Sequence, residues 1–245
     1  MKFAIAVGGC AVLVIVMLFV EPPGTMSKIP NLLHLTQPTA ANTVTSTTAP
    51  PSATITNPPH TCKCVAFRLD DIQDYFLTKP QMQVINVFSE RNASLTIGVI
   101  GNYFGNDSGI VDFVRVAKNN NSKVEVANHG WNHEDFSVLS KAEQSQLMAK
   151  TNKKIYDLLD VKPVTFITPY EKLDNDTFAA ARENGIQYIS SDVINDPPPY
   201  DIYDNNAGLH RFPQTALTGN VNGNGTQWIE YAPEEVLEDV HDSLD

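Results

Sequence analysis

Two short stretches of this 245-residue chain carry side chains that could do chemistry: Arg68-Leu69-Asp70-Asp71, at the end of an apolar run, and His129-Gly130-Trp131-Asn132-His133, about sixty residues later. Together they read as a divalent metal site. Two histidines four apart on a helical turn point the same way, imidazoles are common nitrogen ligands for zinc, and a carboxylate at a strand end can supply a third ligand. Three protein ligands leave a position open, which a catalytic metal needs to lower the pKa of water or polarise a carbonyl; structural zinc is normally closed by four. On this reading Asp71, His129 and His133 hold the ion and the adjacent Asp70 is the base. The donor set suits zinc first, and cobalt, nickel or iron as well.

Taken alone, paired aspartates are often a polar exit from a strand, and His-x-x-x-His recurs by chance. Context strengthens both motifs. Val65 to Leu69 reads as a buried strand running into Asp70, and Lys123 to Ala127 as another running into His129. In α/β folds, sites assemble at strand carboxyl ends.

The elements between the motifs alternate. Lys79 to Ser89 is a helical candidate, Ser94 to Ile100 a strand, Ile110 to Ala117 a second helix. Ser140 and Glu143 form a capping box that starts a long helix reaching Leu159. Val164 to Thr168 is the next strand, closed by Pro169, and Asp174 caps a helix through Asn184 that Gly185 ends. Ile186 to Ser190 is strand-like. This repetition implies parallel strands with crossover helices, in an open sheet or a barrel. Further on, Gly208 to Phe212 and Gln227 to Tyr231 read as short strands and Pro233 to Leu244 as a final helix.

Composition divides the chain into three. Phe3 to Val20 is almost unbroken apolar sequence after Lys2, close to the ~20 residues that span a bilayer, so residues 1–20 are expected to be a membrane anchor or signal peptide. The anchor is favoured, because Glu21-Pro22-Pro23-Gly24 offers no small-x-small cleavage site. Residues 21–61, rich in Pro, Thr and Ser, read as a disordered stalk. Residues 62–245 remain for one folded domain, expected at the extracellular face of the membrane, or secreted if the leader is cleaved. A net charge of -11 argues against nucleic acid or an anionic membrane surface as partner, leaving the N-terminal segment as the only membrane contact. Cys62-Lys63-Cys64 is a local bridge or an interchain link, and lacks the sulfurs of a zinc knuckle. Sequons stand at Asn92, Asn106, Asn175 and Asn224.

From about Cys64 onward the chain resembles the polysaccharide deacetylase family, the NodB-homology domain of carbohydrate esterase family four. That family carries an Asp-Asp pair at its first strand and His-x-x-x-His after a later one, as Asp70-Asp71 and His129/His133 do here. The resemblance implies a distorted (β/α) barrel of about seven strands, incomplete here at the C-terminus. It implies Asp70 as catalytic base and Asp71, His129 and His133 as metal ligands. Ile167-Thr168-Pro169-Tyr170 is similar to the family's Arg-x-Pro-Tyr segment, which implies that the Tyr170 backbone N–H helps hold an oxyanion. The arginine that orients the family's base is missing before Pro169, and Arg68 is the candidate substitute. The late Leu-His that protonates the leaving amine is also missing; either the chain is shortened relative to its relatives or His210 takes the part, although His210 reads first as a rim histidine beside Arg211. Trp131 suits groove or core equally, and Asp74, Glu134 and Asp135 are candidates to steady the imidazoles.

The activity so implied is hydrolysis of a carbon-nitrogen, non-peptide bond: removal of an N-acetyl group from an extracellular glycan. No organic cofactor is needed. A different amide hydrolase on the same scaffold and a catalytically weak glycan-binding protein are the alternatives. Oligomeric state is not legible.

Overall fold

The structure, a computed structural model, describes residues 14–19, 64–119, 123–197, 209–221 and 227–243. The expected stalk at 21–61, the start of the apolar leader, Cys62 and the Asn224 sequon lie outside these residues. The strands run β1 (Val14–Phe19), β2 (Cys64–Ile72), β3 (Leu95–Val99), β4 (Val124–Asn128), β5 (Thr165–Ile167), β6 (Tyr188–Ser190), β7 (His210–Arg211), β8 (Ala216–Leu217), β9 (Gly219–Val221) and β10 (Trp228–Glu230). The helices are α1 (Thr78–Glu90), α2 (Ser108–Asn119), α3 (Lys141–Leu159), α4 (Asn175–Glu183) and α5 (Pro233–Asp242).

Strands β2 to β7 lie side by side in chain order and are all parallel, as strand-helix alternation requires when each crossover returns to the same edge. The six form a curled half-barrel. The expected fold class holds. At the β2 edge the order continues with β1, antiparallel from Val14↔Leu69 to Phe19↔Cys64, and then β8. Val14–Phe19, the end of the apolar run, thus lies inside the sheet, paired on one side with β2 and on the other with β8. Among the described residues no helix is long and apolar enough to cross a membrane.

Period-two alternation sorts the sheet's two faces. Leu69, Leu95, Ile97, Val99, Val124 and Val126 are buried beneath the helices. In α1 the buried Gln81, Val84, Ile85 and Phe88 recur at the three-and-four spacing of one helical stripe. In α3 a stripe from Gln144 to Leu159 does the same, behind the expected capping box of Ser140 and Glu143. The opposite, concave face is more polar. Glu125 accepts hydrogen bonds there from Thr96 Oγ1 at 2.8 Å and Thr165 Oγ1 at 2.5 Å, and Arg68 lies on the same side of β2. Gly98 is required on this face: a Cβ there would stand 3.1 Å from Ile167 Cδ1 and 3.2 Å from His129 Cβ.

The loop after β6 is held to β7 by a buried ion pair, Arg211 Nη1 to Asp196 Oδ1 at 2.8 Å. Burial, with Asp192 nearby, raises the Asp196 carboxyl from 3.8 to about 6 although Arg211 works the other way. A carboxyl raised by folding binds its proton more tightly in the native state, so its contribution is complete below about 3.8 and is lost as pH rises through about 6. Between those limits wild type should therefore lose stability relative to Asp196→Asn, read as the pH dependence of the difference in melting temperature. Ile97, fully buried in β3, should cost about 2–5 kcal/mol when truncated to Ala, measured by urea denaturation.

Candidate metal centre

Neighbouring residues of a regular strand face opposite ways, so Asp70 and Asp71 could not both serve one site without a break in the ladder. The break is present. Leu69 pairs with Ile97 and Ile72 with Val99, three steps on β2 against two on β3, and the extra residue is Asp71, at φ 63°. A bulge at this point re-aims a side chain. Asp70 stays on the concave side with Arg68, while Asp71 turns towards the histidines.

The histidines follow β4. The helical turn expected from their spacing does not form: residues 129–135 are loop, turned by Gly130 at φ 76° and by His133 at φ 61°. The loop is pinned from below. Asn128, fully buried, donates through Nδ2 to Met148 O and Asn152 Oδ1 of α3 and accepts from the Gly130 N–H at 2.9 Å. The His129 N–H continues the sheet ladder onto Val99 O. His129 Nδ1 lies 2.9 Å from Ile167 O, and since a carbonyl only accepts, Nδ1 carries the proton and Nε2 is left with its lone pair.

Asp71 Oδ1 lies 3.4 Å from His129 Nε2 and 3.3 Å from His133 Nε2, and one ligand atom from each residue falls within 4.8 Å of the others. Two imidazole nitrogens and a carboxylate oxygen are a donor set for a divalent transition metal. The electrostatics agree. Burial opposes the charge of Asp71, yet the His129 hydrogen bond and the charges of both histidines and Arg68 hold its carboxyl below the ordinary range. Burial likewise opposes charging His129, but Asp71, Asp70 and the Ile167 carbonyl outweigh it and raise its pKa; burial and the neighbouring His129 lower that of His133. The Asp71 side chain is 49% exposed and that of His133 22%, so one side of the triad opens to solvent.

Behind the triad lies a group that sequence reasoning grasped only in part. Arg68 is fully buried, and its guanidinium spans the concave face. Nη2 donates to Asp70 Oδ2 at 2.8 Å, to Glu171 Oε1 and to Gln214 Oε1 at 3.2 Å, and Nη1 donates to Ser190 Oγ. Arg68 therefore holds the Asp70 carboxylate from within the same strand. Burial disfavours its charge, but Asp70 and Glu171 more than compensate and its pKa is raised. Glu171 is pushed the other way for a carboxyl: burial, with Asp70 beside it, raises it to about 7 despite Arg68. Glu171, Ser190 and Gln214 escaped the sequence reading. The available signal was electrostatic, since an arginine in an apolar strand demands buried acceptors.

The remaining candidates divide. Tyr170 is present in the site: its ring packs edge-on to His133 at 4.4 Å, and both Tyr170 and Glu171 take positive φ, 55° and 58°. Trp131 is a packing residue, seated against the Gly101 backbone with Lys150 Nζ 3.8 Å from its ring centre. The acidic residues expected to steady the imidazoles bind backbone instead: Asp74 accepts from Asn106 N, Glu134 from Trp131 N and Asp135 from Ser137 N. A backbone carbonyl, Ile167 O, does that work. His210 stacks on Tyr188 at 5.5 Å, opposite it in the β6–β7 ladder, and the residue of this stretch that joins the site network is Gln214.

Comparison with known proteins agrees with this geometry. Residues 57–189, more than half of the chain, match the family model described as polysaccharide deacetylase. No curated protein sequence matches the chain. Among solved structures, the chain is similar to the Streptococcus pyogenes deacetylase PplD in complex with acetate, with TM-score 0.51 and 13% identity over 73% of this chain and 69% of that one. It is also similar to a family 4 acetyl xylan esterase from Clostridium thermocellum in complex with a cobalt ion (TM-score 0.41, 21% identity, 51% and 56% covered). A third is a CE4 family pseudoenzyme from Bacillus anthracis (TM-score 0.42, 16% identity, 52% and 53% covered). The chain spans about half the length of the last two, and 46% of a Mycobacterium smegmatis relative. The matched residues include Asp70, Asp71, His129, His133 and Tyr170, and on this match the chain belongs to the polysaccharide deacetylase family.

Proposed function

We propose that this protein is a metal-dependent deacetylase that hydrolyses an N-acetyl group on an extracellular or cell-surface glycan and releases acetate. The observation that carries the reading is the convergence of Asp71, His129 and His133 beside a carboxylate held by a buried arginine. Asp71, His129 and His133 would hold a divalent cation, zinc first. When bound, the ion supplies Lewis-acid polarisation of the acyl oxygen and makes water more acidic.

The chain's own residues do the rest. Asp70 Oδ2 is fixed by Arg68, whereas Oδ1 is buried with no hydrogen-bond partner among the described residues, so Oδ1 is the atom open to take the proton of the attacking water. The Tyr170 N–H, on a turn pressed against His133, stabilises the oxyanion. As the C–N bond breaks, the leaving amine needs a proton. With His210 stacked on Tyr188, the proton taken up at Asp70 Oδ1 is returned to it, which makes Asp70 base and then acid. Exposed Tyr170 at the open side of the triad offers a face to a sugar ring.

The position of His210 also favours a second reading, a catalytically weak glycan-binding protein, since among the described residues no separate acid joins the triad. Release of acetate from N-acetylglucosamine oligomers, with a chelator control, separates the two: binding without release supports the second. Location outside the cell, behind an apolar anchor at residues 1–20, is part of the proposal and rests on the sequence alone.

Asp70→Asn should keep its metal, by elemental analysis, while acetate release falls by ~10²–10⁴. Asp71→Asn and His133→Ala should instead lose both metal and activity, and metal retained at wild-type stoichiometry in either variant would remove those residues from the ligand set.

A further inference from the structure

The segment Ile167–Glu171 touches both histidines and the buried arginine. Ile167 O fixes His129, the Tyr170 ring packs on His133, and Glu171 Oε1 shares the Arg68 Nη2 donor with Asp70 Oδ2. Two oxygens on one donor nitrogen can be no more than about 6 Å apart, so Glu171 lies close to the base without contacting the ligand triad through any bond described above. Tyr170 and Glu171 are also consecutive non-glycine residues at positive φ. Side chains rarely adopt that conformation, and it persists where the surroundings over-determine it. Backbone bonds from Glu171 N to Thr168 O and from Lys172 N to Pro169 O close the turn, and the Arg68–Glu171 ion pair fastens it to β2.

Building on the deacetylase reading, we propose that Glu171 is a positioning residue: through the Arg68 guanidinium it ties the turn that carries the Tyr170 amide to the Asp70 carboxylate, so that base and oxyanion donor are held as one unit. Ser190 and Gln214 keep the guanidinium from following either carboxylate alone. Glu171 has no reason to be in this turn on conformational grounds, since glycine or asparagine would tolerate its φ better. Its side chain is only 21% exposed and pairs with a wholly buried cation. Removing it leaves Arg68 still paired with Asp70, so no uncompensated buried charge is created.

The test uses the full chain and measures acetate release from N-acetylglucosamine oligomers, metal content and melting temperature for wild type and three variants. Glu171→Gly and Glu171→Asn relieve the backbone while cutting the tie. They should bind metal and melt at or above the wild-type temperature, yet lose about tenfold or more in kcat with KM little changed. Glu171→Gln can still accept the Arg68 hydrogen bond and should recover kcat to within about threefold of wild type. A merely structural glutamate predicts that activity follows stability, so kcat losses tracking melting temperature across the three variants overturn the proposal. It is overturned equally if Glu171→Gly and Glu171→Asn both turn over like wild type. Wild type that releases no acetate overturns the deacetylase reading and this inference with it, whereas an active wild type with indifferent variants overturns the inference alone.

Discussion

A guanidinium removed from water must have its charge and donors met on the spot, and Arg68 imposes that demand on the centre of this fold. Its acceptors come from β2, from the turn after β5, from β6 and from the stretch after β7. In a half-curled sheet, β2 and β7 stand at opposite ends of the six parallel strands and share no ladder. The arginine joins them across the concave face. The curvature of the sheet, the placing of Asp70 and the seating of the Tyr170 turn are thereby coupled through one side chain. The same residue holds Asp70, where the segment before Pro169 carries no arginine.

Strain gathers where the chemistry is expected. Of the seven non-glycine residues at positive φ among the described residues, Asp71, His133, Tyr170 and Glu171 belong to the centre or its supporting turn. Each is held by something specific: the bulge in β2, the Asn128 anchor below the histidine loop, the Arg68 ion pair. Such conformations cost of order 1–3 kcal/mol each and cluster at sites where the surrounding structure supports them. Here they place four side chains, from three separate loops or strands, around one small volume.

Much of the fold was legible because it follows from local rules. The capping box at Ser140, the Asp174 cap and the stop at Gly185 all appear where short-range hydrogen bonding predicts, and strands β2 to β6 coincide with the apolar runs. One expectation failed and two open readings were decided away from the histidines. The helical turn between His129 and His133 does not form, the candidate acidic residues bind backbone, and Trp131, open between groove and core, packs at Gly101. The outcome hung on backbone torsions at Gly130 and His133 and on a carbonyl, Ile167 O, that belongs to another strand.

By itself, then, the sequence determined the alternation of strands and helices, the parallel order and the two motifs with their ligating chemistry, because periodicity and capping act within a few residues. Tertiary structure alone decided that Asp70 and Asp71 face one volume, that Arg68 and not a residue beside Pro169 holds Asp70, that Glu171, Ser190 and Gln214 complete the arginine's shell, and that His210 stays on Tyr188. Those outcomes depend on a bulge and on contacts between residues more than a hundred positions apart, which side-chain spacing does not encode.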